Sequence, residues 1–429
     1  FPNEGGIRIR GDNEGFFSPS GNKNFTFKAE ENGIYANTSD AAIRITDNYE
    51  DGWQIILYNK SGSAVMIYNK ESILFGCDEK GTIKKFKTVS PVSSGEKFYG
   101  LGERFNGLFQ NGKQIELWNY DSVSELKYED GDHNVGYKNI PLLHSSAGYS
   151  IFYNTSYYGL ADIGYTDGLK YSFAFDGPEM DFYIFVNGYD ENMSSYLDLT
   201  GNTVIPPKWA LSYWAGQTGN VWRRGTKDET TTYENVKAIL ERYDDLGTPI
   251  KNVYAEGCWY FESVMNYLQS RNIHVFGWSD STWRTFDSAD NPTSAADVAE
   301  SAGISPSKYP LVRKNTDASS YYKQKDGAYW VDYTNSLSVD WLKARFEKPF
   351  RSGLQGMMVD YADSLGTDSL FSNLKNGSYM HNRYAYYYDK AMYEAFSDYW
   401  GKEHILFARA ACAGSQHYVA SFGGDQSSS

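Results

Sequence analysis

Short apolar runs broken by turn signals dominate the first half of the chain. Ala42 to Thr46, Trp53 to Tyr58, Ala64 to Tyr68, Tyr149 to Tyr153 and Met180 to Val186 are rich in β-branched and aromatic residues, and Asn-Gly, Asp-Gly and Ser-Gly pairs separate such runs. This pattern predicts strands of an antiparallel sandwich. The Pro206-Pro207 pair ends the stretch, so residues 1–205 are expected to form an N-terminal β-sandwich domain.

Beyond that point the rhythm changes to strand, helix, strand. Trp209 to Trp214 is a short apolar run that leads the series. Glu229 to Leu246 has helical spacing, with Val236, Ile239, Leu240 and Tyr243 on one stripe and Gly247 as a stop. Ile250 to Ala255 is the next strand, Phe261 to Ser270 a short helix, and Ile273 to Trp278 a third strand. A polar, Ser-rich stretch near 285–330 reads as an insertion. Helices are then expected over Trp341 to Phe350 and Asn382 to Tyr399, and strands over Gly356 to Asp360, Ile405 to Arg409 and Tyr418 to Phe422. Alternating βα units make a parallel sheet. Residues 206–429 therefore predict an α/β domain of the (β/α)8 TIM-barrel type with about six strands, incomplete at its C-terminal end. More sequence is expected to follow Ser429 in the native protein.

Composition changes this picture at a few points. Aromatic residues make up 17%, including 37 tyrosines. They suit stacking on sugar rings, and equally the packing of a β-rich core. The net charge of −14 argues against a nucleic-acid partner. No apolar run approaches the roughly 20 residues needed for a membrane span. Cys77, Cys258 and Cys412 make no disulfide framework and no metal pair, so no metal or cofactor is expected. The start at Phe1 reads as processed or trimmed. Six Asn-x-Ser/Thr sequons, at Asn24, Asn37, Asn59, Asn154, Asn192 and Asn376, point to an extracellular or cell-surface location.

In a barrel of this type the chemistry lies at the C-terminal ends of the strands. Those ends carry Glu256-Gly-Cys258-Trp259, Trp278-Ser-Asp280, Asp360-Tyr-Ala-Asp363, Arg409 and Gly423-Gly-Asp425. Any one Asp there also suits a helix N-cap. Several on one rim, with an arginine between them, suit glycoside hydrolysis, which needs one carboxylate beneath the anomeric carbon and a second to protonate the leaving oxygen. Strand order alone does not say which is which.

A set of segments in fixed order carries a family resemblance. They are Tyr99-Gly-Leu-Gly-Glu-Arg-Phe105, Lys138-Asn-Ile-Pro-Leu142, Pro207-Lys-Trp-Ala-Leu-Ser-Tyr-Trp214, Met358-Val-Asp-Tyr-Ala-Asp363, His381-Asn-Arg-Tyr384, Arg409-Ala-Ala-Cys-Ala-Gly-Ser-Gln416 and Gly423-Gly-Asp425. The chain resembles glycoside hydrolase family 31, the retaining α-glucosidases and α-xylosidases. The resemblance implies Asp360 as nucleophile, Asp425 as general acid/base and Arg409 as a ligand of the bound sugar. Asp363 stands where the family usually has Glu.

The end of the second strand departs from the family. Where α-glucosidases resemble Ile-Asp-Trp-Met, this chain has Ala255-Glu-Gly-Cys-Trp259. Cys258 and Trp259 there resemble a small α-galactosidase branch, and a Trp stacks on the apolar face that an axial 4-hydroxyl exposes. The alternatives are that both residues pack in the core, and that Glu256 replaces the missing Asp from a shifted register. Trp278 and Asp280 are further subsite candidates. Glu103, Trp118 and His381 read as structural.

The resemblance thus implies an exo-acting retaining α-glycosidase leaning to α-galactosides or α-N-acetylgalactosaminides. Its partner would be an oligosaccharide or glycoconjugate with a terminal α-linked sugar. An α-glucosidase, an α-glucosyl or isomaltosyl transferase using the same two aspartates, and a non-catalytic carbohydrate-binding protein stay open. The oligomeric state is not legible.

Overall fold

Strand alternation in the first half of the chain decides which face each residue takes. The computed structural model describes residues 6–10, 26–48, 52–121, 136–216, 228–256, 258–283, 285–286, 292–293, 310–324 and 328–425. Three five-stranded antiparallel sheets form its N-terminal part. In spatial order the first runs Gly6–Arg10, Asp181–Phe185, Tyr149–Tyr153, Leu142–Ser145, Phe98–Gly100. The second runs Lys113–Leu117, Gly159–Ile163, Lys170–Phe175, Ile83–Pro91, Ile73–Cys77. The third is a meander from Thr26–Glu30 to Ala64–Asn69.

Within Gly159–Ile163 every second residue is buried, as expected for a sheet covered on one face. Asp181–Phe185 is buried throughout because both its faces are covered. Phe182 and Ile184 enter the sandwich core, while Tyr183 and Phe185 pack with Tyr196 and Leu199 of a helix, Tyr189–Thr200. Part of the aromatic richness packs this core. Tyr153 lies 4.5 Å from Phe173 and 5.4 Å from Phe182, centroid to centroid. Two sequons are part of this packing. The Asn154 side chain bonds to Asp181 and that of Asn192 to Ser150, and both residues are buried, so neither is available to a glycan.

The second half forms a six-stranded, all-parallel, curled sheet. Numbered within this barrel, its strands are β1 (Trp214–Gly216), β2 (Asn252–Tyr254), β3 (His274–Asp280), β4 (Leu354–Asp360), β5 (Ile405–Ala408) and β6 (Ala420–Ser421), adjacent in that order. Between them run α1 (Glu229–Asp245), α2 (Glu262–Ser270), α3 (Leu337–Arg351) and α4 (Tyr384–Trp400). Asp228 caps α1 by accepting a hydrogen bond from Thr231 N. Period-two alternation sends Val275 and Met357 outward, where Val236, Leu268, Phe346 and Met392 of the helices cover them. Phe276 points inward, into a small cluster with Trp214, Tyr254 and Phe407. A six-stranded part of a barrel is what the sequence predicts, five strands in their expected places and the first starting later.

Three features differ from the pattern reading. The Trp209–Trp214 run does not form a strand: Lys208–Leu211 is a 3-10 turn, and β1 begins at Trp214. The cause is aromatic packing, Trp209 stacking on His274 and Trp214 on Phe276 at 4.1 and 3.8 Å. The helix Tyr189–Thr200 lies in a stretch read as strands. Of the 285–330 insertion, residues 310–324 and 328–330 are described within its last part, and they tie back to the barrel: Arg313–Lys314 pairs with Ser369–Leu370 and Thr282–Trp283 with Tyr329–Trp330. Several other residues of that stretch fall outside the described ones.

Buried hydrogen bonds dock the sandwich onto the barrel. Asn382 accepts from Asn119 N at 2.8 Å and donates to Leu117 O at 3.0 Å. Ser156 donates to Tyr379 O at 2.6 Å, and Lys138 bridges to Ala411 through the backbone. The sandwich segments 117–121 and 136–139 are thereby held against the stretch before α4 and the loop that follows β5.

Phe276 is fully buried at the centre of the inner cluster. Phe276→Ala is expected to lower unfolding free energy by about 3–5 kcal/mol, read as a lower denaturant midpoint at unchanged slope.

Candidate active site

The inward positions of β3 and β4 end in Trp278 and Asp360, and Arg409 follows β5 directly. Asp360 is the last residue of β4, and its backbone neighbour Val359 accepts a hydrogen bond from Arg409 N at 3.1 Å. Three donors or charges face the Asp360 carboxylate. Trp278 Nε1 donates to Oδ2 at 2.8 Å, Tyr361 N to Oδ1 at 3.0 Å, and Arg409 Nε lies 3.0 Å from Oδ1. Tyr361 adopts a φ of +52°, a left-handed conformation that costs a non-glycine residue roughly 1–3 kcal/mol. Ser281 holds it by donating to the Tyr361 carbonyl.

Arg409 is the hub. Its side chain is 1% exposed and touches four carboxylates. Asp363 receives a two-pronged bond, from Nε at 2.9 Å and Nη2 at 3.1 Å. Nη1 donates to Asp425 Oδ2 at 3.3 Å, and Nη2 lies 3.6 Å from Asp121 Oδ2. The rings of Tyr361 and Tyr137 flank the guanidinium at 4.2 and 4.7 Å. Such a fork matches planar arginine and no other cation.

Exposure separates the carboxylates. The Asp360 side chain is 10% exposed and that of Asp425 62%. Burial pushes the Asp360 carboxyl above the usual carboxylate range, opposed by Arg409, Trp278 and the Tyr361 N–H. Burial likewise raises Asp363, against the pull of Arg409. For Arg409 burial works against the charge, and Asp363, Asp360 and Asp121 together outweigh it, so the guanidinium stays ionised. The arrangement offers a recessed carboxylate on the floor and a wet one on the rim. Two carboxylates in one cleft, differing in exposure, are the groups that glycoside hydrolysis uses.

At the end of β2, Tyr254 faces inward and its hydroxyl donates to Glu256 Oε2 at 3.2 Å. Burial and Glu256 raise the Tyr254 hydroxyl, with Asp360 and Asp425 acting in the same direction. Glu256 therefore belongs to the same acidic cleft.

Three subsite expectations do not come together there. Cys258 is buried in the outer core, with Sγ facing Ala255 O at 3.6 Å. Trp259 lies across Gly277, where a Cβ would sit 3.0 Å from the indole, and against Phe346 of α3. Gly277 faces outward, between the inward Phe276 and Trp278, so Trp259 fills the layer between sheet and helix and not the cleft. Asp280 is buried beside Tyr333 and Tyr388 and accepts from Thr282 N at 3.3 Å.

Other residues join the site without having been singled out from the sequence. Asp121 and Tyr137 come from the sandwich, and the Tyr137 hydroxyl donates to Asp121 at 3.4 Å. Glu103 pairs with Lys138, and Trp118 stacks on His381 at 3.6 Å, so both act structurally. His381 Nε2 lies 2.7 Å from Asn119 O, and burial pulls the ring down to about 4. Among the described residues no group of three or more His, Cys, Asp or Glu is disposed to hold a metal ion.

The family model for the glycosyl hydrolases family 31 TIM-barrel domain matches residues 203–429, and that for the family 31 N-terminal galactose mutarotase-like domain matches residues 1–162. The chain belongs to glycosyl hydrolase family 31. It is 26% identical over 362 residues to an alpha-xylosidase of Emericella nidulans, covering 78% of this chain and 42% of that protein. It is 23% identical over 458 residues to an isomaltosyltransferase of Sporosarcina globispora, covering 95% of this chain and 40% of that protein. The chain thus spans about two fifths of the length of these curated relatives.

Among solved structures, the cycloalternan-forming enzyme of Listeria monocytogenes in complex with a pentasaccharide superposes with a TM-score of 0.81 at 20% identity, over 100% of this chain and 43% of that one. A family 31 dextranase of Flavobacterium johnsoniae complexed with glucose gives 0.79 at 22% identity, over 99% of this chain and 53% of that one. At these identities the superpositions show the shared fold.

Two outcomes follow from the geometry. Trp259→Ala should lower stability by about 3 kcal/mol and leave KM unchanged, measured by thermal melts beside steady-state kinetics. Trp278→Phe removes a donor that favours ionised Asp360, so the Asp360 pKa rises further. The acidic limb of the kcat/KM profile for any glycoside cleavage that uses Asp360 should then move to higher pH, and an unmoved limb would contradict the role given to the indole N–H.

Proposed function

We propose that the protein bearing this chain is a retaining α-glycosidase of family 31 that acts on terminal α-linked glucosyl or xylosyl units. The observation that carries the reading is the pair of aspartates on one buried guanidinium, Asp360 at the floor and Asp425 at the rim. In the first step an Asp360 oxygen attacks the anomeric carbon, the glycosidic C–O bond breaks, and Asp425 gives its proton to the leaving oxygen. In the second, water attacks the glycosyl-Asp360 ester while Asp425 takes the water proton, which restores both groups. Asp363 and Asp121 hold Arg409 in place, and Arg409 and Trp278 favour the ionised form of Asp360 against the burial that raises it.

The glycone follows from which side chains reach the cleft. The galactoside expectation rested on Trp259 and Cys258, which pack in the outer core. Glu256 and Tyr254 stand at the end of β2 instead and supply a carboxylate and a hydroxyl for equatorial sugar hydroxyls. The named relatives, an alpha-xylosidase and an isomaltosyltransferase among them, agree with an α-glucosyl or α-xylosyl unit. Transfer to a second sugar uses the same two aspartates and differs in what intercepts the ester.

The test is a panel of p-nitrophenyl α-xyloside, α-glucoside, α-galactoside and α-N-acetylgalactosaminide with the intact protein. Turnover is expected on a xyloside or glucoside, and Asp360→Asn should reduce it by roughly 10^3-fold or more while sugar binding survives. Activity confined to the galacto-configured substrates would overturn the glycone assignment. Binding without turnover in the unmodified protein would point to a sugar-binding module.

A further inference from the structure

The rim carboxylate sits on a short segment after β6 that needs an external anchor. Phe422 N bonds to Ala408 O at 3.3 Å, and beyond it the chain leaves the sheet to reach Asp425 through two glycines. Two adjacent residues of the sandwich meet this segment. Lys138 Nζ donates to Phe422 O at 2.7 Å and pairs with Glu103 Oε2 at 2.7 Å. Tyr137 lies against Gly424, whose φ is +73° and where a Cβ would fall 2.4 Å from the ring. The Lys138 side chain is 6% exposed, and Glu103 keeps its ammonium paired inside the protein. A bond to a backbone carbonyl three residues before Asp425 fixes the path of the segment, while the Asp425 side chain itself stays in solvent.

We propose that Lys138 is a positioning residue for proton transfer: it clamps the Phe422–Asp425 segment so that Asp425 addresses the leaving oxygen above Asp360. The sandwich would thereby set the acid–base step of a site whose nucleophile the barrel supplies. This rests on the assignment of Asp425 made above. Tyr137 supports it by closing the space over Gly424, and it also flanks Arg409, so both carboxylates are referred to one sandwich segment.

The test compares leaving groups in the intact enzyme, with the glycone active in the panel above. An α-glycosyl fluoride loses its leaving group with little need of a proton, whereas a disaccharide must have its leaving oxygen protonated. Lys138→Met is expected to lower kcat/KM for the disaccharide at least about tenfold and to change the fluoride value far less. A loss merely structural in origin would lower both alike, and an equal fall, or none on either substrate, would overturn the proposal. Lys138→Arg keeps a charged donor and should recover part of the disaccharide rate. If the Met variant does not fold, the same ratio is read from Lys138→Gln. Asp425→Ala is run beside them. A split with Asp425→Ala but none with the Lys138 variants rejects the clamp alone. No split with Asp425→Ala rejects the acid/base assignment and the clamp with it.

Discussion

A guanidinium that is 1% exposed governs this structure. Leaving an arginine in the interior without partners would cost several kcal/mol, and burying carboxylates such as Asp360 and Asp363 without a cation favours their neutral forms. Each group is tolerable only in the presence of the others. The four acids come from three separate places: Asp360 and Asp363 from the end of β4, Asp425 from beyond β6, and Asp121 from the sandwich. Closing this cluster therefore requires the curled parallel sheet and the docking of the sandwich together. The buried amide contacts of Asn382 and Asn119 are the mechanical counterpart of that electrostatic coupling.

The same cation serves two carboxylates differently because their surroundings differ. Asp360 is enclosed, and its ionised form depends on the guanidinium, one indole N–H and one backbone N–H. The backbone N–H comes from Tyr361, whose unusual φ is held by Ser281 and whose ring lies under Arg409. Strain in the backbone is thus placed where it aims a donor at the carboxylate. Asp425 touches the same arginine from the solvent side, where water damps the interaction.

What the sequence disclosed follows the reach of local periodicity. Apolar runs located five of the six parallel strands and put the first a few residues early, and the residues at or just past the ends of β4, β5 and β6 included Asp360, Arg409 and Asp425, because alternation fixes direction up to the strand end. Past that end it stops. Cys258 and Trp259 lie in a turn after β2, where no period says which way a side chain points, and the indole went to the vacancy over Gly277. Asp280 ends its strand yet turns into the packing around Tyr333 and Tyr388. Asp121 and Tyr137 were invisible for another reason. They belong to a different domain, and only the docked structure brings them to Arg409. The helix Tyr189–Thr200 escaped because it lies in a stretch read as strands, and its apolar residues Tyr196 and Leu199 find their partners on Tyr183 and Phe185 of the strand before it.

The shorter side chain at 363 makes sense in this frame. Asp363 is fully buried and grips Arg409 by Nε and Nη2. That grip leaves Nε also within 3.0 Å of Asp360 Oδ1 and leaves Nη1 turned to Asp425. A glutamate, one methylene longer from the same backbone position, would lift the fork toward the rim or fold back on itself. Tyr137 and Tyr361 close the guanidinium from either side, so the cluster has little room to accept such a shift. Asp363 thus holds the guanidinium where a single cation faces both the floor carboxylate and the rim carboxylate.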